Sequence, residues 1–193
     1  MKMDDFTRRA QESLVEAQHI AEDSQNQEIY PAHLFTGLLD QDQGIMRPLL
    51  ENLGLNLEVL GKDLKEIISE LPKVYSDDTQ LYMSRQLNKV IRQSRKQAQK
   101  MDDEYVSTEH FLLGLLADGK SKTAELLQNK NIDLSKAREV IDNIRDGERV
   151  TSDNAEQEYQ VLKRYTIDIT EQAREGDLDP VIGRDQRIRR IMQ

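Results

Sequence analysis

The chain repeats itself. Ala32-His33-Leu34-Phe35-Thr36-Gly37-Leu38-Leu39 returns as Glu109-His110-Phe111-Leu112-Leu113-Gly114-Leu115-Leu116, and subtracting 33 from 110 gives a displacement of 77 residues. At the same displacement Arg8 falls on Arg85, Ala21 on Ala98, Leu49-Leu50 on Leu126-Leu127, Asn52 on Asn129, Leu57 on Leu134 and Ile67 on Ile144. A register held without a gap over two halves means that one unit has been duplicated. That constrains the fold more than any single motif, because the apolar residues of each copy must serve one shared architecture.

Within each copy the periodicity is helical. Phe6, Ala10, Leu14, Ala17 and Ala21 lie on one face of a helix expected from about Asp4 to Glu22, and Met83, Leu87, Ile91, Ser94 and Ala98 repeat the stripe. Pro31 suits the first turn of a second helix, where its missing donor costs nothing, and Ser107 with Thr108 and Glu109 offers a cap and an early negative charge at the equivalent place. Gly54 is placed to stop a third helix after Leu49, Leu50 and Leu53, while Asn56 and its counterpart Asp133 can cap a fourth. The expected fold class is all-α: a four-helix unit, duplicated with pseudo-twofold symmetry, over residues 1–145, with repeat one at about 4–71 and repeat two at about 80–145. Pro72 and Ser76-Asp77-Asp78 separate the units, and the polar run from Arg145 through Asn154 places a mobile linker at 146–158 with little to bury. Beyond it Leu162, Tyr165, Ile167, Ile169, Leu178, Val181, Ile182 and Ile188 restore apolar character outside the repeat, so a different domain is expected to begin at 159 and to be cut off at 193.

At 193 residues there is room for one well-buried domain and a piece of another. With 37% hydrophobic and 33% charged residues, no tryptophan and no apolar run of about 18 residues, the composition fits a helical protein outside the membrane. Met1-Lys2-Met3-Asp4-Asp5 has no signal-peptide core, and the absence of cysteine agrees with a reducing compartment and excludes disulfides and thiol catalysis, so a cytoplasmic location is expected. A formal net charge of −9 argues against general nucleic-acid binding. Lys89, Arg92, Lys96 and Lys100 share one helical face, the ordinary pattern of a solvated stripe.

No catalytic constellation is present. His19, His33 and His110 lack the paired ligands at helical spacing that a metal site needs, so no metal is expected; the duplicated His33 and His110 are expected to pack or to cap helices. Nor does the chain carry a glycine-rich loop with Lys and Ser or Thr opening a helix, so the chain is not expected to be an enzyme by itself.

Two motifs carry a family resemblance. The doubled His-x-x-x-Gly-Leu-Leu unit is similar to the paired repeats of the Clp N-terminal domain. Tyr165-Thr166-Ile167-Asp168-Ile169-Thr170, followed by Gly176-Asp177-Leu178-Asp179-Pro180-Val181-Ile182-Gly183-Arg184-Asp185, resembles the entry to the first AAA+ module of Clp ATPases. The spacer around Leu71-Pro72-Lys73-Val74 is most like that of the ClpB-type disaggregase branch. The resemblance implies the N-terminal region of an ATP-dependent chaperone that engages unfolded or aggregated polypeptides. It further implies a longer parent, homohexameric, using ATP and Mg and cooperating with a DnaK-type chaperone, whereas this chain alone is expected to be a monomer holding no cofactor.

By the same resemblance, Thr7, Asp103 and Glu109 are implied in substrate binding, although each also has a local reading as a cap or helix-dipole partner. Val181, Ile182 and Gly183 are implied at the adenine side of a nucleotide site. Gln93, Gln97 and His110 stand where the family's client groove is apolar, which implies weak binding by one domain and reliance on six copies. Two alternatives stay open: an adaptor-binding domain of a Clp protease ATPase subunit of the ClpC or ClpA kind, and a free-standing helical scaffold. A coiled-coil middle domain elsewhere in the gene would favour the disaggregase.

Overall fold

The computed structural model describes residues 3–41, 44–74 and 80–156. The expected adenine-side residues Val181, Ile182 and Gly183, the rest of 159–193 and Ser76-Asp77-Asp78 lie outside that set.

Eight helices are described: α1 (Arg8–Asp23), α2 (Pro31–Leu39), α3 (Met46–Asn52), α4 (Leu57–Ser69), α5 (Arg85–Lys100), α6 (Thr108–Asp118), α7 (Lys122–Asn129) and α8 (Leu134–Arg145). The starts of α1, α2 and α4 recur 77 residues later as those of α5, α6 and α8, so the sequence register is a structural one. The first helix begins four residues later than its apolar stripe suggests, because Met3–Asp5 forms a separate 3-10 turn and Thr7 is the N-cap. Caps explain most of the boundaries. Thr7 and Ser84 accept from the backbone N–H of Ala10 and Leu87, and Asn56 and Asp133 accept from Val59 and Lys136. Gly54 ends the third helix at φ 83°, a left-handed backbone that favours glycine.

The two central helices, α2 and α6, are buried along almost their whole length and form the middle of the core. Each packs against the first helix of its own repeat through its glycine. A Cβ on Gly37 would meet Ser13 O at 3.0 Å and Ala17 N at 3.4 Å. A Cβ on Gly114 would meet the equivalent atoms, Val90 O and Ser94 N, both at 2.8 Å, and the Ser94 hydroxyl as well. The repeats then interlock by exchange: α1 touches α6 as α5 touches α2, and α3 touches α8 as α7 touches α4.

Short extended pieces complete the exchange. β1 (Glu28–Ile29) pairs in parallel with β2 (Tyr82–Met83), matching Ile29 with Met83. The mate of that pair under the 77-residue shift is Val106 with Phe6, and it is present as a parallel bridge. In each case the residue ahead of one repeat's first helix pairs with the residue ahead of the other repeat's second helix. Phe6 is thereby fixed against Phe111, with ring centroids 5.8 Å apart, beneath the Arg95 guanidinium at 5.2 Å.

The segment expected to be a mobile linker from 146 onward is docked as far as 156. Val150, Ala155 and Glu156 are buried. Val150 O accepts from Glu104 N at 3.0 Å and Tyr105 N at 3.4 Å, and Asp153 O accepts from Arg8 N at 2.8 Å. Polar composition misleads here because the two apolar residues, Val150 and Ala155, both find a seat, with Ile45, Tyr105 and Ile144 around them.

Candidate functional site

Thr7, Asp103 and Glu109 come together around one cation, Arg145, and one carboxyl group, Glu156. Arg145 closes α8. Its Nη1 donates to Asp103 Oδ2 at 2.7 Å, while Nε and Nη2 donate to Glu109 Oε1 at 2.9 and 2.7 Å. Nη2 also reaches Ser107 Oγ at 3.3 Å. The side chains of Asp103 and Glu109 are fully buried and that of Arg145 is 2% exposed. Removal from water penalises all three charges, so they stay ionised only because they answer one another. Burial alone would raise the Asp103 carboxyl, yet the adjacent His110 N–H and hydrogen bonds from Arg145 and the Val150 amide hold it below its ordinary value. Glu109 is likewise held down against burial, chiefly by the Arg145 charge. Arg145 is raised despite burial by the same carboxylates.

Asp103 has a second task. Its Oδ1 accepts from Val150 N at 2.7 Å, tying the chain beyond α8 back to the loop before α6. Thr7 tethers the same segment from the other side: its hydroxyl donates to Glu156 Oε1 at 2.6 Å, and Thr108 N donates to that oxygen at 3.1 Å. Glu156 is pushed up to about 7 by burial and by the nearby Glu109 charge, against the pull of those donors. Its Oε2 is buried with no hydrogen-bond partner.

The duplicated histidines, His33 and His110, are caps. His110 Nδ1 accepts from Ser107 N at 2.9 Å, and His33 Nδ1 accepts from Tyr30 N at 2.9 Å, so each satisfies an orphan donor at a helix start from three residues inside. Ser107 is the N-cap, as expected from sequence, and closes a capping box with His110, whose Nδ1 its hydroxyl also contacts at 2.8 Å. With Nδ1 accepting, Nε2 carries the hydrogen. His33 Nε2 meets Asn26 Oδ1 at 3.0 Å, and His110 Nε2 lies 2.9 Å from Asp103 Oδ2, though poorly aligned for a linear hydrogen bond. Burial lowers His33 to about 4, which keeps its ring neutral at pH 7.

Two expectations need correction. Thr7, Asp103 and Glu109 are gathered in one place but present no exposed polar surface: Thr7 and Glu109 are buried as whole residues, and the Asp103 side chain is buried too. Capping and ion pairing drew them inward. Gln97 and His110 do not line a groove, being 2% and 0% exposed; only Gln93 of that trio is partly accessible. The cleft that does open nearby, about 260 Å³, is lined by Lys100, Met101, Arg138, Asp142, Gly147 and Arg149. The basic stripe on α5 is solvated at Arg92, Lys96 and Lys100, while Lys89 pairs with Asp118 at 2.6 Å.

Arg145 and Glu156 escaped the sequence reading. A signal for Arg145 was available: under the 77-residue shift Asp103, Glu109 and Arg145 stand on Asn26, Ala32 and Ile68, so the second repeat is charged at three places where the first is neutral. Among the described residues no group of three or more His, Cys, Asp or Glu is arranged to hold a metal ion; the guanidinium fills the space between Asp103 and Glu109. No described helix is long and apolar enough to cross a membrane.

Comparison with known proteins agrees with this architecture. Residues 5–130 match the Clp repeat (R) N-terminal domain. The chain is 42% identical over 193 residues to the chaperone protein ClpB of Mycobacterium bovis, covering 99% of this chain and 23% of that protein. It is 36% identical over 193 residues to ClpB of Bacteroides thetaiotaomicron, covering all of this chain and 22% of that one. The chain thus spans less than a quarter of the length of these curated relatives. Among solved structures, the Hsp104 N-terminal domain from Candida albicans superposes with a TM-score of 0.69 at 19% identity, over 79% of this chain and 99% of that one. The N-terminal domain of ClpD from Arabidopsis thaliana gives 0.56 at 20%, over 75% and 97%. A doubled four-helix unit, a histidine cap repeated 77 residues apart, and identity to ClpB chaperones along the whole chain have one common explanation: the chain belongs to the Clp N-terminal repeat family.

Proposed function

We propose that this chain is the client-engaging N-terminal region of a ClpB-type chaperone that disaggregates proteins with ATP. The observation that carries the reading is the 42% identity to a ClpB chaperone over 99% of this chain, which extends past the repeats into 159–193. A binding role also suits the described residues, which hold caps and ion pairs and no arrangement of nucleophile, base and oxyanion donors. A ClpV N-domain, similar in fold at a TM-score of 0.54, has been solved in complex with a VipB peptide, so at least one relative with this fold binds a peptide. The ATPase activity, the hexameric assembly, the DnaK-type partner and the adenine-side role of Val181, Ile182 and Gly183 are proposed for the longer parent by its likeness to ClpB. Substrate engagement by Thr7, Asp103 and Glu109 is proposed as indirect, because their side chains are already bonded.

Removing residues 1–156 from the parent protein tests the reading. The truncated hexamer should keep its basal ATP turnover and lose much of its reactivation of a heat-aggregated enzyme. Unchanged reactivation would overturn the client role. Transfer of aggregated protein into a partner peptidase, with degradation in place of reactivation, would favour the protease-subunit alternative.

A further inference from the structure

We infer that Thr7, Asp103 and Glu109 form the receptor of an intramolecular clasp, whose arm is residues 149–156, and that they influence clients by holding or releasing this arm. Beside an exposed ion pair of Arg149 with Asp102 at 3.5 Å, three attachments hold it. Val150 lies between the Asp103 carboxylate, which takes its N–H, and the Glu104 and Tyr105 amides, which donate to its C=O. Asp153 is fixed to the start of α1 twice, through Arg8 N at 2.8 Å and Arg8 Nε at 2.9 Å. Glu156 is clasped by the Thr7 hydroxyl and the Thr108 amide.

The first repeat shows which part of this is special. Under the 77-residue shift Lys73 stands for Val150, and Lys73 does return to Asn26, the counterpart of Asp103, through an antiparallel bridge. Asn26 also donates to Pro72 O at 3.0 Å. A chain folding back after its fourth helix is therefore the common property of both repeats. Among the described residues, what the second repeat adds is the buried anchor Val150, the Arg145 pair that sets the Asp103 carboxylate, and the Glu156 clasp. Lys73, by contrast, is exposed.

The clasp is also built to open. One Glu156 oxygen has no partner, and the Glu109 charge opposes that of Glu156, so the bonds from Thr7 and Thr108 are partly offset within the same site. Opening would uncover the seat that Ile45, Tyr105 and Ile144 make for Val150 and Ala155, beside free donors at the starts of α1 and α6. Thr7, through Glu156, and Asp103 and Glu109, through Arg145 and Val150, all report on this one event. The structural half of the inference stands by itself, whereas the consequence for clients rests on the proposed function.

Hydrogen exchange on the whole chain, followed by mass spectrometry, tests it. Glu156→Ala should speed exchange in 149–156 at least tenfold while amides of α2 and α6 keep their protection. Glu156→Gln, which retains an acceptor for Thr7 and Thr108, should keep the arm protected, and Thr7→Val should loosen it as Glu156→Ala does. Exchange of 149–156 at the unprotected rate in the parent chain, or unchanged by Glu156→Ala, would overturn the clasp. Binding of unfolded casein by the same variants separates the two proposals. A clasp that responds as stated in a chain that binds no casein refutes the client role alone, whereas Thr7→Val weakening casein binding with no change in exchange refutes the clasp.

Discussion

Arg145→Ile places in the second repeat the residue that the first repeat carries at Ile68. The substitution removes three charge-assisted hydrogen bonds of 2.7 to 2.9 Å and leaves the Asp103 and Glu109 carboxylates buried without their cation. Breaking a buried pair by deleting one partner costs about 3–5 kcal/mol, a large part of the roughly 5–15 kcal/mol that holds a typical domain. The cost should depend on pH in a defined direction. In the parent chain Asp103 and Glu109 are held below their ordinary values, so their contribution is present at neutral pH and lost as pH falls through the lowered values. Without Arg145 burial is no longer opposed by its charge, so the variant should regain stability relative to the parent as pH drops from 8 to 5. The decisive comparison is a triple variant, Asp103→Asn, Glu109→Ala and Arg145→Ile, which imports the neutral set of the first repeat as a whole. Replacing a matched ionic group by a matched neutral one is often close to neutral, so the triple should lie within about 1.5 kcal/mol of the parent. Urea unfolding followed by far-ultraviolet circular dichroism at pH 7 measures both. A single variant within about 1 kcal/mol of the parent, or a triple no more stable than the single, would refute the reasoning.

Gly114→Ala should destabilise by about 1–3 kcal/mol, since its Cβ would press on backbone atoms of Val90 and Ser94 at 2.8 Å. Gly37→Ala, with its nearest atom at 3.0 Å, should cost less because its contacts are looser while both substitutions gain the same roughly 1 kcal/mol of helix propensity; thermal melts of the two variants decide the order. His33, lowered to about 4, takes up a proton in the unfolded chain before the folded one. Stability present above pH 6.5 should therefore be lost as pH falls toward 4, by about 3 kcal/mol in all, and His33→Gln should flatten that slope in urea titrations. Glu156, raised to about 7, has the opposite sign: arm docking should be strongest below its ordinary value and weaken as pH rises through 7. The groups facing it are Glu109, Thr7 and Thr108, and Glu156→Gln should abolish the pH dependence of exchange in 149–156 once intrinsic rates are corrected.

Helix starts were legible in the sequence where a side chain does the capping locally. Asn56, Asp133 and Pro31 each mark a boundary within their own turn, and the 77-residue register carried that information from one repeat to the other. The crossed pairing of Phe6 with Val106 and Ile29 with Met83 was not legible, because a two-residue extended piece has no period to detect and its partner lies in the other repeat. The site was half visible. Resemblance pointed to Thr7, Asp103 and Glu109, but polar residues at helix starts read as surface until their partners are known, and the partners Arg145 and Glu156 lie at least 36 residues away along the chain. Val150 and Ala155 were lost in a run of polar residues, where two isolated apolar side chains give no amphipathic signal.

Client binding by the isolated chain tests the central claim most directly. Fluorescence anisotropy of labelled, unfolded casein titrated with the full chain should show saturable binding with a Kd on the order of 10–100 μM, corresponding to roughly 5–7 kcal/mol. Competition by unlabelled casein but not by a folded protein should accompany it. Absence of any saturable signal up to millimolar chain, with the helical fold intact by circular dichroism, would contradict the claim that this domain engages unfolded polypeptides.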